Sequence, residues 1–521
     1  MERADRRFGH GADLGVAALL AGGAAIAYSL TFHPDWIYDP LRYAELMQRG
    51  PVRVLLGPQH ALGNLLPLLV FRGARGLGYG GHAMPVLAGF GVAGAATAVG
   101  ATYLAAVRLG GSRLAAVGAA AALGAAAAPW RAGGSGGVYG VALATLAIGW
   151  LAAARFARSP SVRSAALLGA AAGFAVGGHL ANVAFVAAAL VVVVALTPRD
   201  RVRSASVFAV AVVATAGLVF VITAGVATGW SLGGMRHWLL HPGIGGSTDR
   251  SSLVGWGIGG LYPAVASGQP HVSWLPFGFD RANGHLEMLV TWLLVGVALL
   301  RGLLLAARSR TGAVLAAALV TNIALAFVLA SWYQSLRSDY WGLGLVPLAV
   351  MAGAGTITFR RRAQATRTLT AAAAFAVVAV LLAWNASQEV APSIQLSDAR
   401  GRAVRAIESR VPRDSHIVLS LVLAGRLADD GYRAEGGFAT LQSAVRHGTP
   451  RPGVAPLIHE ARTGRVYVSS LAFGLTTGQA RFVGATGTRI WKRIRAQCDL
   501  ILVYGTSGLP RDETLFRLRP R

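Results

Sequence analysis

The stretch 164-SAALLGAAAGFAVGGHLANVAFVAAALVVVVAL-196 contains no Asp, Glu, Lys or Arg, yet both of its flanks are basic: 155-RFARSPSVR-163 before it and 198-PRDRVR-203 after it. As helix it would be about 50 Å long, too much for one crossing of a hydrocarbon core of about 30 Å and scarcely enough for two. Arginine excess marks the cytoplasmic ends of spanning helices. Both flanks therefore lie on the same side, and the segment must go out and come back. Gly177-Gly178-His179 is the natural turning point, and limbs this short require the tip to be buried in protein at the outer interface.

Working outward, further apolar spans are expected at 11–31, 83–107, 114–129, 137–156, 205–228, 285–307, 311–330, 341–358 and 369–388. The tally is about eleven transmembrane helices, with the N-terminus cytoplasmic and the C-terminus outside. The basic run 359-FRRRAQATR-367 anchors the later half of this topology. Residues 1–10 read as a cytoplasmic lead-in, and 11–31 as a retained span because no cleavage site follows it. The run 54-VLLGPQHALGNLLPLLVF-71 holds Pro58, His60, Asn64 and Pro67. Were it to cross, every later loop would flip, so it is expected to be a re-entrant or interfacial element on the outer face. Outer loops are expected at 32–82 and 229–284, the second far longer than an ordinary connection.

The transmembrane domain is thus placed at 1–390. Residues 391–521 carry ordinary charge, with strand-like 416-HIVLSLVL-423, 465-RVYVSS-470 and 499-DLILVYG-505 and a helical stretch at 398–411. Strands alternating with helices read as a small extracytoplasmic α/β domain. No glycine-rich phosphate fingerprint follows any strand; 504-YGTSGLP-510 opens no clear helix. An accessory role fits it best.

Composition agrees with the class. The chain is 54% hydrophobic and only 13% charged, which is unusual for a soluble protein. The net charge of +26 sits largely at helix ends, and no basic run is interleaved with aromatics, so nucleic acid is excluded as a partner. Lys492 is the single lysine and Cys498 the single cysteine, so no intramolecular disulfide can form.

Carboxylates before residue 390 are scarce, and the outer loop 33-HPDWIYDPLRYAELMQRG-50 holds three: Asp35, Asp39 and Glu45. A carboxylate just beyond the first span suits a general base acting on an acceptor hydroxyl; the plain alternative is a solvated loop. The loop runs on into Gln59 and His60. His179, at the hairpin tip, is either a functional group in a membrane-embedded segment or a cap on helix carbonyls. His237 and His241 stand four apart in 236-RHWLLHPG-243, but no third ligand accompanies them and no metal is expected. Arg337, Asp339 and Tyr340, in 334-QSLRSDYW-341, lie at the outer mouth of a late span. Arg337 suits a phosphate or a snorkelling anchor beside Trp341; Arg250 and Arg281 are its rivals.

In order and spacing these features resemble the GT-C class of polyprenyl-phosphate-sugar-dependent glycosyltransferases, in particular the bacterial protein O-mannosyltransferase-like group. The resemblance covers about residues 11–360. Asp39 followed by 59-QHALGNLLPLL-69 is similar to that group's acidic residue and the His-Pro-Pro-Gly-Tyr-Pro-Leu-like stretch after it. Pro129-Trp130 with 136-GGVYGVAL-143, 173-GFAVGGHLANV-183 and 337-RSDYWGLGLVP-347 match its later elements. Departures are Ala61 and Leu62 for the proline pair, Gly137 for a glutamate before Val-Tyr, and Arg42 where a second acid would stand.

The resemblance implies a transfer of sugar from a polyprenyl-phosphate carrier to an extracytoplasmic acceptor (protein, lipid or glycan) at the inner (plasma) membrane. Asp39 would be the base with Asp35 its rival, and Arg337 would grip the carrier phosphate. His60, Gln59, His179, Tyr139, Asp339 and Tyr340 would line the substrate site. No cofactor is implied beyond the lipid-linked donor. The other readings are a lipid or polymer carrier or flippase, and a catalytically inactive GT-C-like assembly partner. A carrier would show intramembrane charge pairs or inverted halves, and neither is legible.

Overall fold

The computed structural model describes residues 2–33, 38–48, 50–240, 265, 281–334, 338–354, 363–419, 423–424, 426–427, 432–436, 454–462, 465–469, 472, 486–505 and 514–521. These fall into two compact units. The first comprises Met1–Phe32, Gly50–Gly81 and Pro85–Ala391; the second comprises His33–Arg49, His82–Met84 and Pro392–Arg521.

The first unit is helical: α1 (Glu2–Leu30), α3 (Val52–Leu55), α4 (Ala61–Gly76), α5 (Met84–Arg108), α6 (Arg113–Ala125), α7 (Ala127–Gly134), α8 (Tyr139–Arg158), α9 (Val162–Gly178), α10 (Val183–Leu196), α11 (Arg201–Thr228), α12 (Leu232–Leu240), α13 (Arg281–Ala306), α14 (Arg310–Gln334), α15 (Ser338–Ala354) and α16 (Ala363–Asn385). Five described stretches are long and apolar enough to cross a membrane, or six if the bent pair α6–α7 is one span. Shorter apolar helices over 162–178, 180–196, 293–306, 342–354 and 375–388 occupy other positions where crossings are predicted. This is a polytopic helical membrane protein.

α8 is the central helix, with fully buried Trp150 donating its Nε1–H to Asn322 Oδ1 of α14 at 2.9 Å. α11 carries the opposite character. Its Val202, Val210, Val213 and Leu218 are exposed, as suits a lipid-facing stripe.

The arginines gather at one end. Arg158, closing α8, donates to the Arg108 carbonyl at the end of α5 (2.9 Å). Arg308, between α13 and α14, reaches the Gly110 carbonyl (3.4 Å), and Arg113 at the start of α6 pairs with Asp13 of α1 (2.6 Å). Basic connections far apart in sequence thus share one face of the bundle.

One element differs from the sequence expectation, and a second matches it in place but not in the role of its glycines. The span at 114–129 is not straight: α6 ends at Ala125 and α7 leaves at 60°. Pro129 has no amide hydrogen to give the Ala125 carbonyl four residues back. That carbonyl instead accepts from Asn385 Nδ2 at 2.7 Å, so a side chain of α16 satisfies the broken ladder. The second lies at Gly177-Gly178, where neither residue has a positive φ. A Cβ on Gly177 would press on Val219 of α11 (2.9 Å), and one on Gly178 would collide with Thr145 of α8. The glycines permit close helix packing, while the break itself falls at His179, whose backbone is extended.

The second unit contains α2 (Tyr38–Gln48), α17 (Ala391–Glu408), α18 (Val454–Ala461) and α19 (Thr486–Gln497) with β1 (His416–Leu419), β2 (Arg433–Gly436), β3 (Val466–Ser469), β4 (Cys498–Gly505) and β5 (Thr514–Pro520). The sheet order is β2-β1-β3-β5-β4; β1 is parallel to β2 and β3, while β5 is antiparallel to β3 and β4. Side chains alternate along β1. Ile417 and Leu419 pack with Ala403, Val404 and Ile407 of α17, and Val418 packs with Leu457, Ala461 and Ile494 on the other face. The described part of 391–521 combines helices with a five-stranded sheet, in which β2 and β5 join the strands the sequence announced.

Candidate functional site

Three side chains singled out in the sequence meet in the first unit, each delivered by a helix terminus. Tyr139 opens α8, and His60 closes the 3-10 turn Pro58–His60 that leads into α4. His179 ends α9 and begins the 3-10 turn Leu180–Asn182. The His60 and His179 rings lie edge to face with centroids 4.7 Å apart. Tyr139 meets His60 edge-on at 5.3 Å and stacks on His179 at 5.6 Å. All three are buried, His179 to 2% exposure.

Irregular backbone at membrane depth survives only where other groups satisfy it, and here side chains do so. Asn64 of α4 donates to the Leu55 carbonyl (2.9 Å), and Trp238 of α12 donates to the Leu56 carbonyl (2.5 Å). Gly63 lies so close to Val138 that a Cβ would come within 2.9 Å, which joins α4 to the residue preceding Tyr139. At the other break Asn182 Nδ2 donates to the Ala142 carbonyl of α8 (3.2 Å) and the Ala175 carbonyl of α9 (2.9 Å). His179 Nδ1 accepts the Ala181 N–H at 3.0 Å. The neutral ring therefore carries its proton on Nε2, which becomes a donor. His179 thus sits at the helix break, but it receives an amide N–H there instead of capping helix carbonyls.

The Oδ1 atoms of Asn64 and Asn182 are buried and accept no hydrogen bond among the described residues. The cluster thus offers two imidazoles, a phenol and two amide carbonyls close by. These are polar groups of the kind that hydrogen-bond hydroxyl groups and phosphate oxygens.

The remaining predicted site residues are placed as follows. Gln59 is half-buried beside His60. Asp39 lies in the first turn of α2, in the second unit, and its side chain is outside the described residues. Asp339 and Tyr340 lie in the first turn of α15, also without described side chains. Asp35, Arg250, Arg337 and His241 fall outside the described residues. His237 is exposed on α12, whose buried residue is Trp238. No group of three metal-ligating side chains occurs among the described residues.

Sequence reading overlooked Arg131, which is 7% exposed on the wholly buried helix α7. A signal existed: it is an arginine just past the end of a span expected to face outward, against the expected charge bias of the other loops.

No family model and no curated protein matches the chain. Among solved structures it is similar to ArnT from Cupriavidus metallidurans bound to undecaprenyl phosphate. The TM-score is 0.57 at 13% identity, with 96% of this chain and 98% of that chain covered. The apo state of the same ArnT matches at a TM-score of 0.55 and 14% identity, covering 96% and 97%. An Archaeoglobus fulgidus oligosaccharyltransferase tethered to an acceptor peptide aligns at a TM-score of 0.49 and 14% identity, covering 98% and 74%. Over nearly its whole length the chain shares the fold of this ArnT and is a polytopic helical membrane protein of the GT-C fold.

Proposed function

We propose that this protein is a membrane glycosyltransferase that moves a sugar from a polyprenyl-phosphate carrier to a hydroxyl of an extracytoplasmic acceptor. The observation that carries the reading is the convergence of His60, Tyr139 and His179 from three helix ends. The end of α8 that bears Tyr139 is the one away from its arginine-bearing end. Support comes from the fold, which is that of an ArnT whose structure holds undecaprenyl phosphate.

In the reaction, the acceptor oxygen bonds to the anomeric carbon of the sugar as the bond from that carbon to the phosphate oxygen breaks. Asp39 takes the acceptor proton, and the lipid phosphate departs with the electron pair. His179 Nε2–H and the Tyr139 hydroxyl donate to oxygens of the donor, His60 orients them by ring contact, and Gln59 faces the sugar. Arg337, with Asp339 and Tyr340 beside it, meets the carrier phosphate. Fixed donors aimed at the departing phosphate supply much of the rate, because they need no reorganisation.

The test is transfer from a labelled polyprenyl-phosphate sugar by the purified full chain in proteoliposomes, with a cell-envelope extract as acceptor. Label passing to the acceptor, and lost in the His60→Ala, His179→Ala double variant, is the expected result. Label crossing the bilayer unchanged would establish a carrier instead. Wild-type protein that binds the donor without transferring it would establish an inactive assembly partner.

A further inference from the structure

We propose that Trp238 is a positioning residue for sugar transfer, one that fixes where His60 stands; the inference rests on the glycosyltransferase reading above. Trp238 belongs to α12, the short helix near the start of the long segment 229–284. It is the buried residue of that helix, while Arg236, His237, Leu239 and Leu240 around it are exposed. α12 thus commits a single large side chain inward, and that side chain carries a hydrogen-bond donor at its tip.

The end of α11 holds α12 in this orientation. Gly229 and Trp230 both take positive φ, +63° and +62°, a conformation that a tryptophan keeps only where its surroundings over-determine it. Here the Trp230 ring lies on Gly225 of α11, where a Cβ would collide with it, and the Trp230 N–H donates to the Gly225 carbonyl at 2.9 Å. Ser231 Oγ then accepts the Gly234 N–H at 3.3 Å, and Gly234 lies so close to Thr228 that a Cβ would come within 2.9 Å. Residues four apart share a helix face, so Trp238 follows Gly234 toward α11.

From that seat the indole reaches both ends of the segment Gly57-Pro58-Gln59-His60. At the near end its Nε1–H donates to the Leu56 carbonyl at 2.5 Å. At the far end its ring meets Phe220 of α11 with centroids 6.5 Å apart, and Phe220 packs against Ala61 and Leu62, the two residues after His60. The segment does little to hold itself. Pro58 has no N–H to give, and the His60 N–H reaches the Gly57 carbonyl only at 3.3 Å, long for an amide bond. Asn64 ties Leu55 to α4 through its carbonyl (2.9 Å), whereas Trp238 ties Leu56 to α12. The place of the His60 ring therefore depends on a helix that contributes no group to the cluster. A displacement of about 1 Å at a reacting group can cost about 100-fold in rate, so Trp238 acts on transfer through His60 without touching the substrate.

The experiment removes the donor and keeps an aromatic ring: Trp238→Phe in the full-length protein, assayed in proteoliposomes with a labelled polyprenyl-phosphate sugar. The kcat should fall about 10- to 100-fold, with the KM for the donor and the melting temperature close to wild type. Hydrogen exchange of the amides over 59–63 should become faster. Wild-type kcat in a folded Trp238→Phe protein overturns the assignment, and so does unchanged exchange over 59–63. A kcat that falls only in step with a lower melting temperature and a higher KM assigns Trp238 to the fold alone. If Trp238→Phe does not fold, Phe220→Leu loosens the seat of the indole and keeps its N–H; it should speed the same exchange and lower kcat by a smaller factor, and wild-type values there overturn the proposal. A wild-type protein that transfers nothing takes down the glycosyltransferase reading, and this inference with it. Transfer that is present in wild type and untouched in Trp238→Phe sinks the role of Trp238 alone.

Discussion

The imidazoles of His60 and His179 meet edge to face at 4.7 Å, although 119 residues of chain separate them. One sits on a 3-10 turn ahead of α4 and the other at the broken tip between α9 and α10. Their meeting joins two irregular segments of the membrane unit, each held by an asparagine that donates to backbone carbonyls.

The first prediction separates the two jobs of His179. In His179→Asn the amide oxygen can still accept the Ala181 N–H, so the helix break should persist and the melting temperature should stay near wild type. The Nε2 donor is gone, and transfer should fall about 10- to 100-fold, the worth of a hydrogen bond to a charged group. Equal loss of stability and activity would mean that His179 only caps.

Asp39 is predicted to be the general base. Asp39→Asn keeps the shape without the basicity, and transfer should fall about 10²–10⁴-fold with donor binding retained. Asp35→Asn should cost far less in the same assay. Near-normal transfer in Asp39→Asn with abolition in Asp35→Asn or Glu45→Gln would name another carboxylate.

Close helix packing gives a stability prediction. A Cβ on Gly140 of α8 would lie 3.0 Å from the Gly91 Cα of α5 and closer still to its carbonyl oxygen. Gly140→Ala should destabilise the protein by about 1–3 kcal/mol, seen as a lower melting temperature. Gly217→Ala on α11, with nothing within 4 Å, should leave the melting temperature unchanged or slightly raised.

In the second unit, Glu460 of α18 contacts His416 Nδ1 at 2.9 Å and Arg433 Nη1 at 2.5 Å, tying α18 to β1 and β2. Burial pushes its carboxyl up, but the hydrogen bond and charge of His416, with those of Arg433, outweigh burial and hold it below its ordinary 4.5. A carboxylate depressed by folding stabilises the native state above its unfolded pKa, and that stability is lost as pH falls through the folded value. Amides of β1 and β2 should therefore lose hydrogen-exchange protection as pH drops below about 4.5. In Glu460→Gln this acid dependence should be reduced and the protection at neutral pH lowered.

Topology yields the last prediction. Reporter fusions after Arg203 and Arg367 should read cytoplasmic, and fusions after Gly50 and Arg400 extracytoplasmic. A cytoplasmic reading after Arg400 would overturn the extracytoplasmic placement of the C-terminal domain, and one after Gly50 would overturn that of the first outer loop.

Much of this was legible in one dimension. Hydropathy needs only local composition, because a spanning helix must satisfy its backbone within itself, and so the polytopic helical class could be read directly. The uncharged stretch 164–196 between basic flanks had to break near Gly177-Gly178-His179, and it does. The α/β reading of 391–521 followed from apolar strands alternating with helical stretches. What the sequence could not decide was which irregular residues share a space. His60, Tyr139 and His179 were picked separately, and only packing through Gly63, Asn64 and Asn182 brings their rings together. The bend at Ala126 depends on an amide from Asn385, 260 positions away. That Arg131 is buried depends on which helices surround it, which no neighbouring residue in the chain records.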